Sequence, residues 1–314
     1  MSIFSKNQSS EQPRKKYGCL WTIIIILVVY VALCGLVGSM MGDWMSPSAK
    51  LQDNTVYQLD LQGVMYEQGE EENPFADLMN SFPMAGANMQ TRVGLDDLKR
   101  NLILAQESDK IKGVVLRGGN MAMGPASAKA LRDALIAYKQ SGKFLIAYAE
   151  SYGQLDYYVA SVADKVYVNP VGVVSWNGLL AQQLYFKRLL DKVGVDVQIL
   201  KVGTFKAAVE PFCRTSMSEA DKEQNRLYLT GIWNEMRRSV SECRHISEVQ
   251  LDSMANQYMT LQPQTDYLST GLVDSLIYAD ELDSILRQLT GTKDYHLMKT
   301  AKLASVKRTI HKAD

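Results

Sequence analysis

Histidine and cysteine are scarce, with three His and four Cys in 314 residues. So few His leave little for a metal centre. Four Cys with no C-x-x-C pair exclude a disulfide scaffold, a zinc ribbon and a thioredoxin-like redox motif. Neither sign of charge is in surplus, since 34 Lys+Arg face 34 Asp+Glu. Nucleic-acid binders need excess basic residues to displace phosphate counterions, so no nucleic-acid partner is expected. Also missing are the phosphate loop G-x-x-x-x-G-K-[ST], the dinucleotide fingerprint G-x-G-x-x-G after a strand, the G-x-S-x-G elbow and H-E-x-x-H. No cofactor and no metal is therefore expected. His245, His296 and His311 stand at no spacing from Ser or a carboxylate that suggests a triad.

What is present is unevenly spread. Residues 17–42 form a run of 26 without a charge. As a helix it reaches roughly 39 Å, more than the ~30 Å hydrocarbon core of a bilayer. Arg14, Lys15 and Lys16 precede it and Asp43 follows, so the positive-inside rule places residues 1–16 in the cytoplasm and the main domain outside. Trp21 and Trp44 suit the two interfaces. The run is longer than the h-region of a cleaved signal peptide, and Leu33 is too bulky before Cys34 for a lipoprotein site. Cys213 and Cys243 fall in a space that permits a disulfide, which sequence alone does not establish.

After a linker over 43–54, short apolar runs alternate with 3.6-period segments. Val56–Leu61 reads as a strand, and the stretch from Glu67 to Met89 as a mobile loop. A helix over Leu95–Gln106 leads to a strand over Gly113–Arg117. A helix over 126–141, closed by Gly142, leads to a strand over Phe144–Tyr148. A short helix ending near Ala163 and the strand Lys165–Val168 follow. Next come a helix over Leu179–Val193, closed by Gly194, and a strand over Val195–Leu200. Strands separated by helices predict an α/β fold on a mostly parallel sheet. Ser218 and Ser247 each open a capping-box-like helix, and the region to Leu289 reads as a helical extension. The basic stretch 293–314 reads as a linker or tail.

Two places carry candidate chemistry. Gly118 and Gly119 end a strand, where backbone N–H groups suit a substrate or a developing oxyanion; a plain turn is the other reading. Lys206 follows Gly203-Thr204-Phe205 at the end of an expected strand. With the ordinary lysine pKa of about 10.4, only about one lysine in 2,500 is neutral near pH 7. A lysine base therefore needs burial, and Phe205, Ala207, Ala208, Val209 and Phe212 offer apolar surroundings.

Four blocks together carry a resemblance. They are Leu155-Asp156-Tyr157-Tyr158-Val159-Ala160-Ser161-Val162-Ala163-Asp164-Lys165, Pro170-Val171-Gly172-Val173-Val174, Leu189-Leu190-Asp191-Lys192, and Val202 through Phe212. With Thr270-Gly271-Leu272-Val273-Asp274 further on, the stretch from Thr55 to Leu289 resembles the signal peptide peptidase A, or protease IV, family. That resemblance implies a Clp protease/crotonase-like domain over 55–292 with a helical C-terminal extension, preceded by one transmembrane helix. It also implies the bacterial cytoplasmic (inner) membrane as location, with the main domain on the extracytoplasmic side. Long members of the family are two tandem repeats, the first supplying a general-base Lys and the second a nucleophilic Ser.

Residue by residue, Lys206 carries over as the general base. The nucleophile does not carry over, because the position three before Tyr157 is Gln154, whose amide is no nucleophile. Ser151, and behind it Ser161 and Ser175, are the weaker alternatives within this chain. Glu210 and Arg214 fit either positioning of neighbours or a surface salt bridge. The implied function is that of the N-terminal, Lys-bearing part of a membrane-anchored Ser/Lys endopeptidase. Its expected partners are peptide substrates such as signal peptides, a Ser-bearing C-terminal repeat, the membrane and further copies in a homo-oligomer. The alternative is a catalytically inactive, membrane-anchored homologue serving as an assembly or scaffold subunit.

Overall fold

The computed structural model of the chain describes residues 25–30, 51–68, 92–300 and 303. The chain divides into two compact units, 1–49 and Lys50–Asp314. In the first, residues 25–30 are helical and exposed. The rest of the expected membrane helix over 17–42, with Cys19 and Cys34, lies outside the described residues. So do the expected tail over 1–16 and the expected loop from residue 69 onward. Among the described residues no helix is long and apolar enough to cross a membrane.

The second unit opens with β1 (Thr55–Leu61), β2 (Val64–Tyr66) and β3 (Arg92–Gly94). It then alternates through α1 (Leu95–Glu107), β4 (Ile111–Gly118), α2 (Pro125–Lys139), β5 (Phe144–Ala149), α3 (Gln154–Ala160) and β6 (Lys165–Val168). The short helices α4 (Lys187–Lys192) and α5 (Glu210–Cys213) precede the long α6 (Glu219–Arg244). After α7 (Glu248–Asn256) and α8 (Gln264–Ser269) come β7 (Ser275–Leu276), α9 (Ala279–Thr290) and β8 (His296–Lys299). Six strands build one sheet in the order β7-β6-β5-β4-β1-β8, every pairing parallel, and β2 and β3 form a second parallel pair.

The apolar runs explain the arrangement. Val114, Val115 and Leu116 are all buried, as are Leu145, Ile146 and Ala147, so both faces of the central strands are covered. On one face Val56, Val115, Ile146 and Tyr148 meet Leu282 and Leu286, which lie one turn apart on α9. Helices α1 and α2 each bury a stripe, Leu95, Leu98, Leu102 and Ala105 on the first and Ala128, Leu131, Leu135 and Tyr138 on the second. Their boundaries agree with the periodicity to within two residues, and Gly142 beyond α2 has a positive φ of 74°. Ser218 caps α6, and Ser247 makes a full capping box with Gln250 at the start of α7.

Three expectations need correction. Only Lys187–Lys192 of the expected helix over 179–193 is helical, and the expected strand over 195–200 is absent. The cause is exposure: Leu180, Leu184, Val195 and Leu200 are largely open to solvent among the described residues, and most helix and strand stability comes from packing. Within the stretch read as a basic linker, β8 pairs with β1 at the sheet edge and Met298 is buried. Met298 is the one buried residue of His296–Lys299, with Leu297 beside it exposed, which gives too weak an alternation to read as a strand. Cys213 and Cys243 are both free thiols.

Candidate functional site

Register places the site. Leu61 lies opposite Gly118, Gly118 opposite Ala149, and Ala149 opposite Val168, so four parallel strands end together. The turns beyond those ends share one rim, the place where parallel α/β sheets put ligands. Gly118 and Gly119 sit there because nothing larger fits. A Cβ on Gly118 would come 2.6 Å from the Cβ of Ala149, and one on Gly119 would come 3.0 Å from the Leu61 carbonyl oxygen. Asn120 next to them takes a left-handed conformation, φ 60°.

At the same rim the chain leaving β5 runs alongside residues 173–175. Tyr152 N–H donates to the Val173 carbonyl at 2.8 Å, and Ser175 N–H donates to the Tyr152 carbonyl at 2.9 Å. Ser151 contributes to this contact: its hydroxyl donates to the Glu150 carbonyl at 2.8 Å and accepts from Val173 N–H at 3.1 Å. Ser161 is wholly buried against Arg132 and the Tyr158 carbonyl, and Ser175 lies 3.4 Å from the Thr260 hydroxyl. The hydroxyls of Ser151 and Ser161 are thus hydrogen-bonded to the main chain, whereas that of Ser175 makes only the long contact to Thr260.

Gln154 begins α3, half-buried, and its carboxamide makes three hydrogen bonds. Oε1 accepts from Asn177 N–H at 2.9 Å and from Gly178 N–H at 3.0 Å, while Nε2 donates to the Gly178 carbonyl at 2.8 Å. Two residues on, Asp156 is 2% exposed and its Oδ1 has no hydrogen-bond partner among the described residues. Burial pushes its carboxyl up to about 6, held down in part by the backbone N–H groups of Met121, Asn120 and Gly153. The amide groups that follow Gly118 and Gly119 are therefore turned toward this carboxyl. Neither the Asp156 carboxyl nor the Asn177-Gly178 pair was singled out from sequence. A lone acid inside the apolar run from Leu155 to Ala160 was the available sign for Asp156; for the pair it was the Asn-Gly step itself.

Lys206 lies apart in the chain, just before a single 3₁₀ turn over Ala207–Val209 and after Gly203, whose φ is 97°. Its side chain is exposed, and Phe205 and Phe212 are 57% and 46% exposed. The expected apolar wrapping of the lysine is thus not supplied within the described residues; the apolar neighbours face outward beside it. The segment is tied down on its other side. Gln224 donates to the Phe205 carbonyl at 2.8 Å, Phe212 stacks on Phe186, and Ala207, Ala208 and Pro211 line a cleft of about 270 Å³ with Met217, Asp221 and Asn225. Glu210 is buried, and the Ser218 hydroxyl and N–H hold its carboxyl below the usual range, with Arg214 3.8 Å away. Glu210 therefore fixes the start of α6 and leaves Lys206 alone.

The sequence profile of peptidase family S49 matches residues 137–293, which include the Gln154 rim and Lys206. Over 240 residues the chain is 34% identical to Protease 4 of Haemophilus influenzae, a match covering 74% of this chain and 39% of that protein. It is 33% identical to Protease 4 of Salmonella typhi over 194 residues, covering 62% of this chain and 31% of that protein. A mutant of the 1510-N membrane-bound stomatin-specific protease superposes with a TM-score of 0.42 at 10% identity, covering 79% of this chain and 97% of that one. The chain thus spans well under half the length of the two curated relatives.

Proposed function

The chain belongs to peptidase family S49, and from that premise we propose that it is the Lys-bearing part of a Ser/Lys peptidase whose nucleophilic Ser comes from a second repeat. The observation that carries this reading is Gln154: a carboxamide, held by three hydrogen bonds, occupies the position three before Tyr157 at which the resemblance would put the nucleophile. The domain is read as Clp protease/crotonase-like. The uncharged run over 17–42, basic before and acidic after, is read as a membrane anchor with the domain on the extracytoplasmic side. Signal peptides and other membrane-associated peptides are the proposed substrates, and further copies in a homo-oligomer the proposed partners.

The chemistry divides between the two parts. Neutral Lys206 takes the proton of the incoming Ser hydroxyl as its oxygen attacks the peptide carbonyl. The protonated amine then gives that proton to the leaving amine, and water, activated by the same lysine, hydrolyses the acyl-enzyme. Neutrality requires desolvation, and Lys206 is exposed among exposed Leu200, Val202 and Phe205. The part that brings the Ser must therefore also cover this apolar surface. A second reading, an inactive scaffold subunit, is favoured by the same Gln154.

One reconstitution separates them. The chain is combined in vesicles with the Ser-bearing repeat of a two-repeat relative, and cleavage of a signal peptide is followed. The proposal expects hydrolysis that Lys206→Ala reduces by about 10³-fold or more. Hydrolysis that survives that substitution sinks the Lys206 assignment, and none with the wild-type chain favours the scaffold.

A further inference from the structure

Asn177-Gly178 is the one Asn-Gly step in the sequence. Such a step exposes its asparagine to attack by the chain itself, because glycine has no Cβ to shield its nitrogen and turns freely about its backbone bonds. Once the Gly178 nitrogen gives its proton to solvent base, it attacks Cγ of Asn177. A C–N bond forms, the bond to the side-chain nitrogen breaks, and ammonia leaves with a proton taken from water. Water then opens the resulting cyclic imide at either carbonyl, leaving aspartate or isoaspartate, and nothing is oxidised or reduced.

The fold both admits this reaction and restrains it. Asn177 is exposed, and a Cβ on Gly178 would meet no atom within 4 Å, so water and base reach the pair. Against that, the N–H groups of Asn177 and Gly178 converge on Oε1 of Gln154 at 2.9 and 3.0 Å, and Gln154 Nε2 donates to the Gly178 carbonyl at 2.8 Å. The Asn177 side chain is held as well, donating to the Thr260 hydroxyl at 2.6 Å and accepting from Thr260 N–H at 3.4 Å. A nitrogen whose proton is bound to Gln154 neither sheds that proton nor turns toward Cγ.

Its place in the chain gives the step a consequence. Trp176 just before it is fully buried, with its indole donating to the Leu251 carbonyl at 3.0 Å. Residues 177–186 belong to no helix or strand and lead into the largely exposed segment that carries Lys206. Isoaspartate adds a methylene to the main chain at this junction, and either product puts a carboxylate where the Asn177 amide now donates to Thr260.

We infer that Asn177 is a site of spontaneous conversion to aspartate and isoaspartate, and that Gln154 sets its rate by holding the Gly178 nitrogen. If the restraint is open about one-tenth of the time, conversion slows about tenfold. The reaction needs only the pair and water, so neither Lys206 nor the source of the Ser enters it.

The full chain is incubated in detergent at mildly alkaline pH, and peptide mass mapping follows the gain in mass at Asn177 as its amide becomes a carboxyl. A synthetic peptide of residues 173–182 supplies the unrestrained rate. The wild type should convert about tenfold or more below the peptide, Gln154→Ala about tenfold above the wild type, and Asn177→Gln, whose longer side chain must close a larger ring, not measurably. Equal rates in wild type and Gln154→Ala overturn the inference, as does an Asn177 that stays intact in both while the peptide converts. Acceleration in Gln154→Ala that comes with lost hydrogen-exchange protection at Trp176 marks general loosening and overturns the role of Gln154. Should Gln154→Ala fail to fold, Gln154→Asn, one methylene shorter, carries the same expectations.

Discussion

The Arg244 guanidinium stands 2.8 Å from the Asp274 carboxylate, and its other nitrogens donate to the Gly271 carbonyl at 3.1 and 2.9 Å. The same carboxylate accepts from Val166 N–H at 2.8 Å, so the end of α6 is fastened to the β6 edge through one acid. This accounts for the Thr270–Asp274 block as a fastening of the helical part to the sheet. Replacing Arg244 with Met should cost about 2–4 kcal/mol, because a half-buried carboxylate loses its charge partner. Burial raises the Asp274 pKa, but the Val166 N–H and Arg244 outweigh it and hold the group below the usual value. Its stabilisation is thus present above about pH 4 and lost as pH falls through the depressed pKa. Denaturant melts of wild type and Arg244→Met should differ at pH 7 and converge near pH 2; a constant difference contradicts the linkage.

Asp156 has the opposite sign. Its folded pKa of about 6 lies above the unfolded value of about 3.9, so its favourable contribution is complete below about pH 4 and is lost as pH rises through 6. Asp156→Asn keeps the shape without the charge and should stabilise the protein by about 1–3 kcal/mol at pH 8. That gain should shrink or vanish at pH 4.5. Thermal melts at the two pH values decide it, and a variant no more stable at pH 8 rules out the buried charge as a cost.

Gly172 tests the rim. A Cβ there would lie 1.9 Å from the Glu150 carbonyl oxygen and 3.2 Å from that of Asn169, both backbone atoms with little freedom to yield. Gly172→Ala should destabilise by about 3 kcal/mol. Gly124→Ala, with no atom within 4 Å of the added carbon, is the matched control and should change stability by less than about 1 kcal/mol. Equal effects from the two would show that the turn after β6 relaxes freely.

Lys206 is expected to change environment on assembly. In the chain alone its exposed amine should acetylate readily. Once the Ser-bearing part covers it, acetylation should slow by about tenfold or more, followed by peptide mass mapping against exposed Lys222 as internal standard. No slowing in a complex that hydrolyses peptide would remove the argument that the partner desolvates this lysine.

The central sheet was legible because its strands are continuous apolar runs, as Val114-Val115-Leu116 shows, and such runs predict strands buried on both faces. The helix starts at Ser218 and Ser247 were legible because capping is local. Residues 179–200 misled because their periodicity speaks of surfaces that the described residues do not contain. Val195 and Val197 alternate like a strand, with no neighbouring strand to pair with. At the rim the absence of a nucleophile at Gln154 was visible, but its bonds were not, since Asn177 and Gly178 stand more than twenty residues away and meet it only through the fold.

The stretch over residues 195–202 resembles a substrate in its backbone. Peptidases take their substrates as extended, unfolded backbone, and residues 195–202 belong to no helix or strand. An assembled peptidase of the proposed kind would then hold, beside its own base, a segment of the sort it cuts. Sheltering that segment would be a condition of the enzyme's survival. A chain made without its partner should show its first proteolytic nicks there.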